Sequence, residues 1–137
     1  MNSGYVLGSF AVLAWLKNFE PSASTVNGIL LSDDYVAMSA INVGEVVYTL
    51  QKRFSSGRAE LFLRRLPNLP IEIVTPSFED ILDAAQLKAR YPIAYADAFA
   101  AQLAFKKQLS LVTGDPEFRV IHNLELVWLD SEAAIRS

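Results

Sequence analysis

The stretch AYADAFAAQLAFKKQLSLVTGDPEF, residues 94–118, decides the fold. Ala96 to Lys107 reads as helix: it is rich in Ala, lacks Gly and Pro, and carries an acid in its first turn. Gln108 to Ser110 turns the chain. Leu109 to Thr113 reads as a short buried strand, ended by Gly114 and the Asp115-Pro116 turn. A helix of about 11 residues is roughly 16 Å long, and a strand of about 5 is roughly 17 Å. If the two run antiparallel, outward and return paths cancel. Asp97 and Asp115 are then expected at one edge of the molecule, and the question becomes what else reaches that edge.

Working outward, short strands alternate with helices. Tyr5–Leu7, Tyr35–Met38, Ile71–Val74 and Glu125–Leu129 read as further strands. Phe10–Phe19, Ser22–Leu31, Val43–Phe54, Arg58–Leu66 and Phe78–Arg90 read as helices, the last capped by Ser77 with Glu79 and Asp80 in its first turn. The tail from Asp130 reads as frayed or as a short helix. The alternation predicts an α/β fold, a parallel sheet with helices on both faces. Ligands of such sheets sit outside the carboxyl ends of the strands. Glu45, placed in the first turn of its helix, is expected at the same edge as Asp97 and Asp115.

Composition bounds the function. The chain has 137 residues, enough for one domain over 1–137 and too few for two ordinary ones. Its hydrophobic share of 52% leaves apolar surface to spare for a homodimer or a protein partner. The absence of Cys excludes disulfides and thiolate metal sites and fits a reducing cytoplasm. The apolar run Phe10–Leu16 is too short to span a bilayer, so no membrane role is expected and the location is read as cytoplasmic. A net charge of −3 is no nucleic-acid footprint, so an RNA role needs a local basic patch or metal ions.

Three carboxylates with no Cys, and with His122 as the only His, are hard oxygen ligands that suit Mg²⁺ or Mn²⁺ rather than Zn²⁺. Such a site can cleave phosphodiesters. Ser9 and Thr113 are candidates to hydrogen-bond a carboxylate or a metal-bound water. Simpler readings stand beside these. Asn42 and Glu45 have the spacing of a capping box, Asp97 can complement a helix N-terminus, and Asp115-Pro116 is a common turn. Lys52, Arg53, Arg58, Arg64, Arg65, Lys88 and Arg90 read as solvated helix faces, of which a subset can line a phosphate groove. His122 reads as a surface residue.

Four pieces in order, YVLGSFAVLAWL, SAINVGEVVYTL, YPIAYADAFAAQLA and LVTGDPEF, make the chain resemble a PIN-domain protein of the VapC type, the toxin of a toxin–antitoxin pair. The resemblance implies a three-layer α/β/α sandwich with a central parallel sheet and Mg²⁺- or Mn²⁺-dependent endoribonuclease activity. It also implies a cognate antitoxin covering the groove, an RNA substrate and a homodimer. By motif position, it assigns metal-site acids to Glu45, Asp97 and Asp115, and hydroxyl roles to Ser9 and Thr113. One position departs: such proteins carry Asp directly after the first strand, and here that residue is Gly8. Gly8 reads as the loss of one acid, which weakens metal binding and lowers repulsion in the empty site. The other readings are a PIN-like module that binds RNA or protein without catalysis, and a phosphotransfer domain. The latter lacks a strand-end Asp nucleophile with a suitable Lys.

Overall fold

The computed structural model describes residues 4–130. Its sheet has five strands: β1 (Gly4–Leu7), β2 (Tyr35–Ser39), β3 (Glu72–Val74), β4 (Ser110–Thr113) and β5 (Leu126–Trp128). They lie in the order β3-β2-β1-β4-β5, and every neighbouring pair is parallel. The chain therefore builds outward from β1 to one side, then returns and builds to the other. The reversal falls between β1 and β4, where Leu7 pairs with Val112. That crevice is the ligand-binding position of an open parallel sheet.

Six helices cover the two faces: α1 (Ser9–Leu16), α2 (Ser22–Leu31), α3 (Ala40–Arg53), α4 (Ser56–Arg65), α5 (Phe78–Arg90) and α6 (Tyr95–Lys107). Alternate strand residues feed opposite cores. Leu7, Val36, Met38 and Val112 pack with Val12, Val26, Val46, Leu50 and Phe62 of α1 to α4. Val6, Ala37 and Leu111 pack with Ala84 of α5 and with Phe99, Leu103 and their neighbours on α6. The expected three-layer α/β/α sandwich is what forms. Among the described residues, no helix is long and apolar enough to cross a membrane.

Differences from the sequence reading are local. Helix α3 begins at Ala40 rather than Val43, because Ser39 caps it by accepting a hydrogen bond from Ile41 N. Asn42 is thus inside the helix, fully buried, and no Asn42–Glu45 capping box forms. Glu45 falls in the second turn, not the first. Helix α1 starts one residue earlier and ends three residues sooner, with Asn18 in a left-handed turn. Helix α4 begins at Ser56, capped by Ser55, and its end tightens into a 3₁₀ turn at Leu66–Asn68. A 3₁₀ helix at Pro116–Val120, capped by Asp115, was not anticipated beyond its opening turn. The reading of the tail after Asp130 lies outside the described residues.

Two polar ties set the position of α6. Asn42 Nδ2 of α3 donates to Ala96 O at 3.0 Å. On the other flank, buried Asp80 of α5 accepts from Gln102 Nε2 at 3.0 Å and from Lys106 Nζ at 2.9 Å. The same carboxylate completes a capping box with Ser77, the residue expected to cap this helix. The Ser77 amide first, then Lys106, holds Asp80 below the usual carboxylate range in spite of its burial. Asp80→Ala removes the box and strands the Gln102 amide. A loss of about 1–3 kcal/mol is expected, measured by urea unfolding.

Candidate metal centre

The start of α6 and the end of β4 meet at the reversal. Asp97 is the third residue of α6, whose N-cap, Ala94, has no side chain able to cap. Small buried residues, Ala98, Ala100, Ala101 and Ala104, let α6 lie close on the sheet and its neighbours, so Asp97 comes in half-buried. From β4, Thr113 is fully buried and its Oγ1 accepts from Asp115 N at 3.1 Å. It therefore positions the Asp115 backbone. Asp115 Oδ1 in turn accepts from Glu117 N at 3.0 Å, which closes the 3₁₀ turn.

The carboxylates of Asp97, Asp115 and Glu117 each offer an oxygen within 4.8 Å of the others. Glu117 was missed in the sequence. Its signal was the D-P-E spacing: Asp115 caps the tight turn that Pro116 opens, and its Oδ1 holds the amide of Glu117 two residues on. Glu45 is not in this tight group. Its Oε1 receives the hydroxyl of Ser9, which also lies 3.3 Å from Asn42 O. Glu45 nevertheless lines the same cleft as Ser9, Asp97 and Asp115, a space of about 590 Å³. Lys52 and Arg53 line it too, so two of the seven cations singled out in the sequence reach the acids' groove. His122 is exposed and does not line the cleft. A second hollow of about 430 Å³ between α5 and α6 is lined by Asp80, Gln102 and Lys106, the last two already donating to the Asp80 carboxylate.

Position 8 is the N-cap of α1, in extended backbone with φ −81° and ψ 170° that any residue adopts. A Cβ there would meet Val112 O at 3.7 Å and Thr113 Cβ at 4.0 Å, ordinary contacts. Neither strain nor crowding requires glycine. Gly114 is the opposite case. A Cβ on it would lie 2.5 Å from both Leu129 O and Phe10 Cε1, so only glycine fits between Thr113 and Asp115.

Burial, the Asp115 charge, a hydrogen bond with Glu117 and the charges of Glu45 and Glu117 push the Asp97 carboxyl up to about 8. Among the described residues, no Lys or Arg forms an ion pair with these acids. An all-oxygen donor set with uncompensated negative charge suits a hard divalent cation. Without one, the folded chain keeps a proton on Asp97 across the range from the ordinary value of 3.8 to about 8, where the unfolded chain has lost it. Stability should therefore fall as pH rises through that window. In metal-free buffer Tm is expected to drop between pH 5 and pH 8, and Asp97→Asn should flatten the profile. Differential scanning fluorimetry across pH checks this.

No curated protein matches the sequence. The fold is similar to that of VapBC2 from Rickettsia felis, solved bound to a DNA fragment from its promoter. The TM-score there is 0.74 at 22% identity, over 93% of this chain and 99% of that one. It is similar to VapC20 of Mycobacterium tuberculosis, a sarcin-ricin loop cleaving toxin (TM-score 0.72, 15% identity, 84% and 92% covered). DNA-bound VapBC from Salmonella typhimurium gives 0.70 at 17% identity, with 92% and 97% covered. Residues 6–124 match the sequence pattern of the PIN domain, and this chain belongs to that family.

Proposed function

We propose that this chain is a metal-dependent endoribonuclease of the toxin type, acting as a single domain over residues 1–137. The observation that carries the reading is the gathering of Asp97, Asp115 and Glu45 at the β1–β4 reversal, in one cleft with Lys52 and Arg53. The first two acids are assigned as ligands of Mg²⁺ or Mn²⁺, and Glu45 as the acid across the cleft. A divalent ion at such a site supplies a polarised water and neutralises charge at the phosphodiester. Ser9 holds Glu45 through its hydroxyl, and Thr113 holds Asp115 through its backbone amide. Glu45, Thr49, Lys52 and Arg53 lie along one stripe of α3, acid at one end and base at the other. Seven residues of helix span about 10.5 Å. The basic end is placed to take a phosphate beyond the one that reacts, and it offsets the unfavourable net charge locally.

An antitoxin partner is supported by the toxin–antitoxin complexes among the structurally similar proteins. Exposed apolar side chains such as Leu31 (78%) and Phe78 (73%) are consistent with it and with a homodimer. A cytoplasmic location goes with an RNA substrate.

Gly8 favours a second reading, a PIN-like module that binds RNA or protein without cutting. With no carboxylate from β1, the site is impaired by this residue. Gly8→Asp tests both readings, because the backbone and space at position 8 accept the side chain. A gain of roughly 10–100-fold in Mn²⁺-dependent RNA cleavage is expected, the scale on which changes around a metal site usually act. Asp97→Asn on that background should abolish the gain. If Gly8→Asp binds Mn²⁺ yet cuts no RNA, the non-catalytic module stands. In metal-free buffer the added acid should lower Tm at pH 8, although it improves the cap of α1.

A further inference from the structure

We infer that Glu117 takes over the place of the missing β1 acid, completing the divalent-ion site from the β4 side as a direct ligand. This rests on the metal-site reading above and deepens it. The tight set of acids consists of Asp97, Asp115 and Glu117, all from the segments around α6 and β4. Nothing comes from β1, where Gly8 faces the same reversal.

Glu117 differs from an ordinary surface glutamate in three ways. Its backbone is fixed by the 3₁₀ turn, through Glu117 N to Asp115 Oδ1. Its side chain is fixed as well: Oε1 accepts from Ala94 N at 2.9 Å, the amide of the residue that opens α6. Holding a long carboxylate in one arrangement costs side-chain entropy that an exposed glutamate normally keeps. Third, the direction is set. One oxygen is tied to the start of α6, and an oxygen of the same carboxylate comes within 4.8 Å of Asp97 and Asp115. An ionised carboxylate has about four lone-pair sites, so the bond from Ala94 leaves acceptor capacity for an ion. None of the three ion pairs among the described residues supplies a cation to this group. Beyond the tie to α6, the Glu117 carboxylate also shares a hydrogen bond with Asp97 and comes near Asp115.

The test is Mn²⁺ titration of the full chain by electron paramagnetic resonance and calorimetry. Glu117→Gln keeps an oxygen for Ala94 N and removes only the charge. It is expected to weaken Mn²⁺ binding tenfold or more while leaving metal-free Tm unchanged or raised. Gly8→Asp in the Glu117→Gln background should restore binding, a rescue that a purely structural role would not give. Glu60→Gln, on the exposed face of α4, is the control and should bind as the native chain does. If Glu117→Gln binds Mn²⁺ with native affinity while Asp97→Asn and Asp115→Asn lose it, Glu117 is a tie and the inference falls, but the metal site stands. If the native chain binds no Mn²⁺, both fall together.

Discussion

The pairing of β1 with β4 is the constraint on which everything else depends. Sequence separates them by about a hundred residues, yet Leu7 lies beside Val112 and Gly8 N bonds Val112 O at 3.3 Å. Because the sheet grows away from this pair on both sides, the segments that follow β1 and β4, α1 and the 3₁₀ turn, feed opposite cores and leave a gap. The gap is where strand ends, the start of α6 and one stripe of α3 can all arrive. None of these segments is unusual alone. Their meeting is a property of strand order.

Two partly or fully buried aspartates show how the same side chain is put to different ends. Asp80 receives an amide, a carboxamide and an ammonium group, and its charge is stabilised. Asp97 receives the fields of other carboxylates and its charge is opposed. The first is a structural clasp between α5 and α6. The second is buried among other acids and keeps its proton well above the ordinary range, and perturbed carboxyls of this kind gather at working sites more than in scaffolding. The folding energy needed to keep it there comes from neutral contacts: the Ala-rich packing of α6 and the Asn42 bond to Ala96.

Much of this was legible in the sequence. Gly, Pro and Ser punctuation bounded the elements to within a few residues, and the alternation of strand and helix gave the layers. The juxtaposition of Asp97 and Asp115 followed from matching a helix length to a strand length. Other features were not legible, for physical reasons. Strand order depends on long-range packing, so the reversal could not be located. Ser39 won the cap of α3 from Asn42 because the buried amide of Asn42 was needed by Ala96, a partner 54 residues away. Thr113 turned to a backbone amide because a two-residue turn put that donor closest. Glu117 was hidden because a 3₁₀ turn of five residues has too short a period to stand out.

The first turn of α1 has a mechanical consequence. Ser9 reaches the acid of α3, while the next residue, Phe10, lies against Gly114, immediately before Asp115. The ring leaves no room for any side chain at position 114, so an uncharged pair holds the first turn of α1 against the end of β4 while the charged groups line the cleft beside it.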